Sequence, residues 1–160
     1  MTYNLTVSRV IPASPDEVFD AYTDAEKVKT WFNLLNDEPG IAEIAIDLRV
    51  GGEWVSVWGK NPNELYQETQ IFRIIDRPRR LVTTSTGSDP SGDSLTTEVD
   101  VTFEEHDGGT LMTVVQTGFP TEEMRDFFAT MAWNGAFDRI AAFFTQGHAY
   151  ADGATKGESS

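Results

Sequence analysis

Between Ile41 and Gly118 the chain consists almost entirely of strand-length runs separated by short turns. The runs read "IAEIAIDLRV", "EWVSVWG", "ELYQETQIFRIID", "LVTTST", "TTEVDVTFEE" and "TLMTVVQTG". They are divided by Gly51-Gly52, "KNPN", "RPRR", the polar and mobile loop "GSDPSGDS", and "HDGG", whose Asp107-Gly108 is a strong hairpin signal. Strands joined this tightly pair with their sequence neighbours, so the pattern predicts one antiparallel sheet. Alternation assigns the faces. Ile44, Ile46, Leu48 and Val50 point one way, and Glu43, Asp47 and Arg49 the other. In "EWVSVWG", Trp54, Ser56 and Trp58 share one face while Val55 and Val57 share the other.

Upstream, "YNLTVSRVI" is a further strand, with Tyr3, Leu5, Val7 and Ile11 on one face and Arg9 the odd member among them. Ser14 to Glu17, "SPDE", is a capping box with proline at the first helical position, followed by the apolar stripe Val18, Phe19 and Tyr22. A second box, "TDAE" from Thr23 to Glu26, restarts the helix with Val28, Trp31 and Phe32 on one face. "NLLNDEPG" then reads as a loop.

The last element starts after Pro120, capped by Thr121 with Glu122 and Glu123 in its first turn. Its apolar pattern changes phase. Met124, Phe128 and Met131 lie on one face, and Trp133, Phe137, Ile140 and Phe144 on nearly the opposite one. Asn134-Gly135, the weakest helical pair in the segment, predicts a kink or break at the changeover. Residues 1–146 are therefore expected to form one α+β domain, and the small polar tail 147–160 to be disordered.

Hydrophobic content of 39% and charged content of 24% suit a globular chain with a packed core. The chain has no cysteine, which excludes disulfides and thiolate metal sites and suits a reducing cytoplasm. A net charge of −14 repels phosphate backbones and anionic lipid, so neither nucleic acid nor membrane is expected as a partner. The opening "MTYNLTVSRV" lacks a basic region followed by an apolar stretch, so no secretory signal is visible and the expected location is cytoplasmic.

The order strand, two short helices, six strands, long helix resembles the START-like superfamily, also called the helix-grip or SRPBCC fold. Within it the sequence is similar to bacterial relatives of the activator of the heat-shock-protein ATPase. The similar pieces are "RVIPASPDEVFDAYTDAEKVKTWF", "IDLRVGGEW", "VDVTFEEHDGGTLMTVVQTGF" and "AWNGAFDRIAAFF", spread over nearly the whole chain. None is a catalytic signature; together they specify fold. The resemblance implies a curved sheet of about seven strands wrapped around the C-terminal helix. Three positions depart from the family pattern: Gln70 replaces a common glycine, Gln116 a common histidine, and Ala132-Trp133 a Gly-Trp pair.

The resemblance also implies a cavity between sheet and helix. Its expected lining is Ile46, Leu48, Trp54, Ser56, Trp58, Met112, Val114 and Gln116 from the strands, with Phe128 and Met131 from the helix. Ser56 and Gln116 are poor choices for a solid core, because an unpaired buried polar group costs roughly 1–3 kcal/mol, and they would orient a ligand instead. Arg9 is expected to pair with Glu104 or Asp47 at the surface rather than to anchor a ligand carboxylate.

No cofactor and no metal are expected: His106 sits in a hairpin turn and His148 in the tail, neither with a second nitrogen ligand at useful spacing. No nucleophile–base pair surrounds Ser56, and no glycine-rich loop precedes a helix. Glu68 and Asp138 are the carboxylates that could do acid–base work if they point inward. Three functions follow: a binder of a small hydrophobic or aromatic molecule, a protein-interaction module like the chaperone activator, or a cyclase- or hydrolase-type enzyme; a non-enzymatic role is the expectation. Apolar surface at Trp31 and Phe32 leaves the choice between monomer and homodimer open.

Overall fold

The computed structural model describes residues 2–34 and 41–147. Strand β1 (Tyr3–Ile11) leads into helices α1 (Pro15–Thr23) and α2 (Ala25–Phe32). Six strands follow: β2 (Ile41–Ile46), β3 (Glu53–Gly59), β4 (Leu65–Asp76), β5 (Arg80–Ser88), β6 (Ser94–His106) and β7 (Gly109–Phe119). They form one antiparallel, curved sheet in the order β1-β7-β6-β5-β4-β3-β2, so β1 alone is out of sequence, pairing with β7. The C-terminal helix runs as α3 (Glu122–Phe127), a π-helical segment Phe128–Ala132, α4 (Trp133–Ala142) and a second π segment Phe143–Gly147. This is the α+β helix-grip architecture.

The first cap forms as the sequence dictates: Glu17 N donates to Ser14 Oγ at 3.2 Å and Ser14 N donates to Glu17 Oε1 at 3.0 Å. The second does not. Asp24, not Thr23, caps α2 by accepting from Glu26 N at 2.9 Å. Thr23 is still helical in α1, so its hydroxyl turns back to donate to Phe19 O at 2.7 Å. The two helices bury Val18, Phe19, Tyr22, Val28 and Trp31 against the sheet's inner face. Trp31 is thereby removed from the surface. It stacks on Tyr22 and donates its indole N–H to Ala21 O at 2.9 Å.

β2 ends at Ile46, four residues earlier than its pattern suggests. Arg49 N bonds Asp47 O and Gly52 N bonds Arg49 O, so Asp47 to Gly52 curls into a compact turn that leaves Leu48 39% and Val50 64% exposed. Glycine is required at the last two positions of that turn. Gly51 has φ +86°, and a Cβ on Gly52 would stand 2.2 Å from Asp47 O. The β5–β6 loop is also shorter than expected. Strand pairing continues to Ser88 and Ser94, and Asp89 closes the remainder by accepting from Ser91 N and Asp93 N. The Asp107-Gly108 hairpin is as the sequence predicts, both residues having positive φ.

The C-terminal helix changes phase without breaking. Trp133 N donates to Phe128 O, an i to i−5 bond, so the wide turn at Phe128–Ala132 inserts the extra residue that rotates the apolar face. Asn134 meanwhile holds Thr130 O at 2.9 Å, and the helix runs through Asn134-Gly135. The expected kink at that pair is therefore corrected: a π turn changes the phase while keeping the backbone paired. Phe137 and Ile140 are fully buried on the new face. On the earlier stretch Phe128 turns inward against Phe119, with ring centroids 5.1 Å apart, whereas Met124, Phe127 and Met131 stay exposed. Residues 148–160, with His148 and nearly all of the expected disordered tail, lie outside the described residues, as do Leu35 to Gly40 of the expected loop.

Candidate functional site

Strand register arranges the inner face in rows. One row runs Ile46, Trp54, Gln70, Ser85, Thr97; the next runs Ile44, Ser56, Glu68, Gly87, Leu95. On the other side of the first, Phe72, Thr83, Val99, Gln116 and Leu5 lie in register. Polar side chains thus form a band across an otherwise apolar surface, and diagonal neighbours on one face are close enough to bond.

Nearly all of this polarity is used within the protein. Trp54 Nε1 donates to Ser56 Oγ at 3.0 Å, and Thr83 Oγ1 donates to Gln70 Oε1 at 2.7 Å. Gln116 Nε2 donates to Thr97 Oγ1 and its Oε1 accepts from Trp133 Nε1, both at 2.8 Å. Among the described residues no buried side-chain polar atom lacks a partner. The premise that Ser56 and Gln116 would lack partners in a solid core does not hold: the serine pairs with Trp54 on its own strand face, and the glutamine with Thr97 and Trp133.

Glu68 differs. It is half-buried and accepts a single hydrogen bond, from Ser85 Oγ at 2.5 Å, and no Lys or Arg among the described residues pairs with it. Burial pushes its carboxyl pKa up, and the Ser85 bond offsets part of that rise. Tyr22, buried on α1, has its phenol pushed up by burial and by the nearby Glu68 charge. Beside Glu68 in register stands Gly87, where a Cβ would meet nothing nearer than Gln67 O at 3.8 Å. Gly87 thus leaves a gap, a notch in the inner face, between its register neighbours Glu68 and Leu95. One inner-face step further along the strands Trp58 pairs with Tyr66, ring centroids 5.7 Å apart, and Phe32 meets Trp58 edge-on at 5.6 Å.

The other residues singled out from sequence fall into three groups. Ile46 and Trp58 are half-buried at the side of this cleft, and Phe128 reaches the interior from the helix. Trp54, Met112 and Val114 belong to the packed core. Leu48 and Met131, at 39% and 64% exposure, point away from the interior, Leu48 because β2 ends before it and Met131 because the π turn rotates it outward. Arg9 pairs with neither Glu104 nor Asp47. It bonds Asp138 on α4 at 2.8 Å and lies over the Phe137 ring at 5.4 Å, while Asp47 is taken by Arg49. Asp138 is consequently a surface ion-pair member and not an inward acid. Ser85, Gly87 and Tyr22 were not singled out from the sequence, although the alternation of "TTSTGS" already sets Ser85 and Gly87 on one face.

No group of histidine and carboxylate side chains among the described residues could hold a metal ion, and no described helix is long and apolar enough to cross a membrane. A shallow depression of about 470 Å³ lies on the sheet's outer face, lined by Ala45, Asp47, Arg49, Glu53 and Val55 among others. It is open and charged, and neither Glu68, Ser85 nor Gly87 is among the residues that line it.

Solved structures share the fold. Protein Ms6760 from Mycobacterium smegmatis superposes with a TM-score of 0.70 at 21% identity, covering 88% of this chain and 89% of that one. Mll3558 from Rhizobium loti gives 0.71 at 22%, covering 89% and 96%. A protein from Rhizobium leguminosarum gives 0.75 at 18%, covering 91% and 96%. Comparison with curated protein sequences gave no match. A sequence profile described as activator of Hsp90 ATPase homolog 1-like protein matches residues 12–145.

Proposed function

The chain belongs to the activator of Hsp90 ATPase homolog 1-like family, and on that premise we propose that it binds a small apolar or aromatic molecule between the sheet and the C-terminal helix. What supports this above all is the gap at Gly87: the inner face carries no side chain there, next to a carboxylate that has one protein partner. A folding core has no use for that combination, since filling the gap would gain roughly 0.8 kcal/mol per buried methylene. Trp58, Tyr66 and Phe32 would supply contact area at the side of the cleft, and Glu68 and Ser85 the polar end. The packed tryptophan–serine and glutamine–threonine pairs would hold the frame. The absence of cysteine fits a cytoplasmic setting.

A second reading, a protein-interaction module, is favoured by one observation. Met124, Phe127 and Met131 form an exposed ridge along the outer side of the C-terminal helix, at 39%, 56% and 64% exposure. Catalysis of the cyclase or hydrolase type has less behind it, because Glu68 stands without a second titratable group in hydrogen-bond reach among the described residues.

Native mass spectrometry of the purified protein, followed by a tryptophan-fluorescence screen against fatty acids, aromatic acids and polyketide-like rings, tests the first reading. A co-purified mass, or a saturable shift abolished by Trp58→Ala in a folded protein, is the expected result. No bound mass and no response across the panel would move the assignment to the exposed ridge.

A further inference from the structure

We infer that the ligand of the Glu68 notch carries a protonated amine, so that the site takes an apolar or aromatic organic cation; this rests on the small-molecule reading above. The carboxylate geometry points that way first. Ser85 Oγ donates to Glu68 Oε2 at 2.5 Å, within the short range of hydroxyl bonds to an ionised carboxylate. The other oxygen accepts from no protein donor among the described residues.

Counter-charge is the second argument. No Lys or Arg among the described residues forms an ion pair with Glu68; Lys27 is engaged with Asp20, Arg77 with Asp16 and Asp20, and Arg80 with Asp100. A half-buried carboxylate with no cation beside it is a costly arrangement, which a bound ammonium would relieve directly. Burial opposes the charge on Glu68, and an ammonium in contact would restore it.

The surroundings suit a cation over an acid or a neutral ring. Tyr22 and Trp54 meet edge to face at 5.1 Å, with Tyr22 close enough to feel the Glu68 charge. Trp58 and Tyr66 stack one inner-face step beyond Glu68. Aromatic faces next to a carboxylate attract alkylammonium groups through the ring quadrupole. The net charge of −14 draws cations toward the molecule and repels carboxylate ligands.

Isothermal titration and tryptophan quenching with four probes of one skeleton decide the matter: phenethylamine, phenethyl alcohol, phenylacetone and phenylacetate. The wild-type protein should bind phenethylamine about ten-fold or more tighter than the alcohol, the ratio one hydrogen bond to a charged group supplies, with phenylacetate weakest. Glu68→Gln should erase that advantage, so that the amine and the alcohol bind about equally. Gly87→Val, which fills the notch where the nearest atom is 3.8 Å away, should weaken all four without destabilising the fold. An alcohol that binds as well as the amine, or an amine advantage that survives Glu68→Gln, overturns the cation and leaves the binding site standing. A preference for phenylacetone that disappears in Glu68→Gln would reveal a neutral acid donating to a carbonyl, which also overturns it. If none of the four binds, the cation and the small-molecule reading fall together.

Discussion

Trp133 donates its indole N–H to Gln116 Oε1 at 2.8 Å, and the same amide donates to Thr97 Oγ1, so one β7 side chain ties the C-terminal helix to two strands of the sheet. Gln116→Leu keeps the volume and strands both partners. It should destabilise the fold by about 1–3 kcal/mol, the cost of a buried unsatisfied group. Trp133→Phe should cost part of the same energy, and the double mutant less than the sum, because the two residues share one interaction. Guanidinium titration of the four proteins checks this. Additive costs would show that the bond contributes nothing to the coupling.

Glu68 should make stability fall as pH rises. Its folded-state pKa lies above the ordinary 4.5, so the folded protein binds the proton more tightly than the unfolded chain does. The stabilisation from that proton is complete below 4.5 and is lost as pH rises through the raised folded value. Glu68→Gln removes the dependence. Its melting temperature should exceed the wild type's at neutral pH, with the difference shrinking toward pH 4.5. A difference that stays constant with pH would mean the carboxyl titrates normally.

Two glycines should respond in opposite directions. At Gly52 an added Cβ would stand 2.2 Å from Asp47 O, a backbone atom that cannot move aside cheaply. Gly52→Ala should therefore cost about 1–3 kcal/mol. At Gly87 nothing is nearer than 3.8 Å, and Gly87→Ala should be neutral or stabilise by about 0.4–1 kcal/mol through the unfolded chain. Thermal melts of the two variants read this directly. A large loss at Gly87 would mean that the notch is already occupied by protein.

The Arg9–Asp138 pair is half-exposed, with side-chain exposures of 33% and 56%, so solvent screens it. Asp138→Asn should change stability by less than about 1 kcal/mol and leave any ligand affinity untouched. Arg9→Ala should cost more, because it also removes the guanidinium from the Phe137 ring. A ligand-binding or activity loss in Asp138→Asn would return that residue to the site.

The sheet was readable because its cause is local. Alternation fixes which side chains share a face, and Gly51-Gly52 and Asp107-Gly108 fix where the chain turns. The same logic overran β2 at Leu48, since a turn in which Arg49 N bonds Asp47 O and Gly52 N bonds Arg49 O can hold alternating residues without being a strand. The inner-face pairs were hidden for another reason. Whether Gln116 is an orphan or a bridge depends on Thr97 and Trp133, residues 19 and 17 positions away that only the folded register brings near.

The sequence by itself determined the order of elements, the caps at Ser14 and Thr121, the Asp107-Gly108 hairpin, and the side of the sheet on which Trp54, Ser56 and Trp58 lie, because period and capping act over a few residues. It also placed a phase change in the last helix. Only the tertiary structure decided that a π turn at Phe128–Ala132 makes that change, that Arg9 answers Asp138, and that Glu68 stands in register beside the open space at Gly87. Those outcomes depend on which strands lie side by side and on what the helix covers. Burial and pairing are set by neighbours distant in the chain, and no local pattern records them.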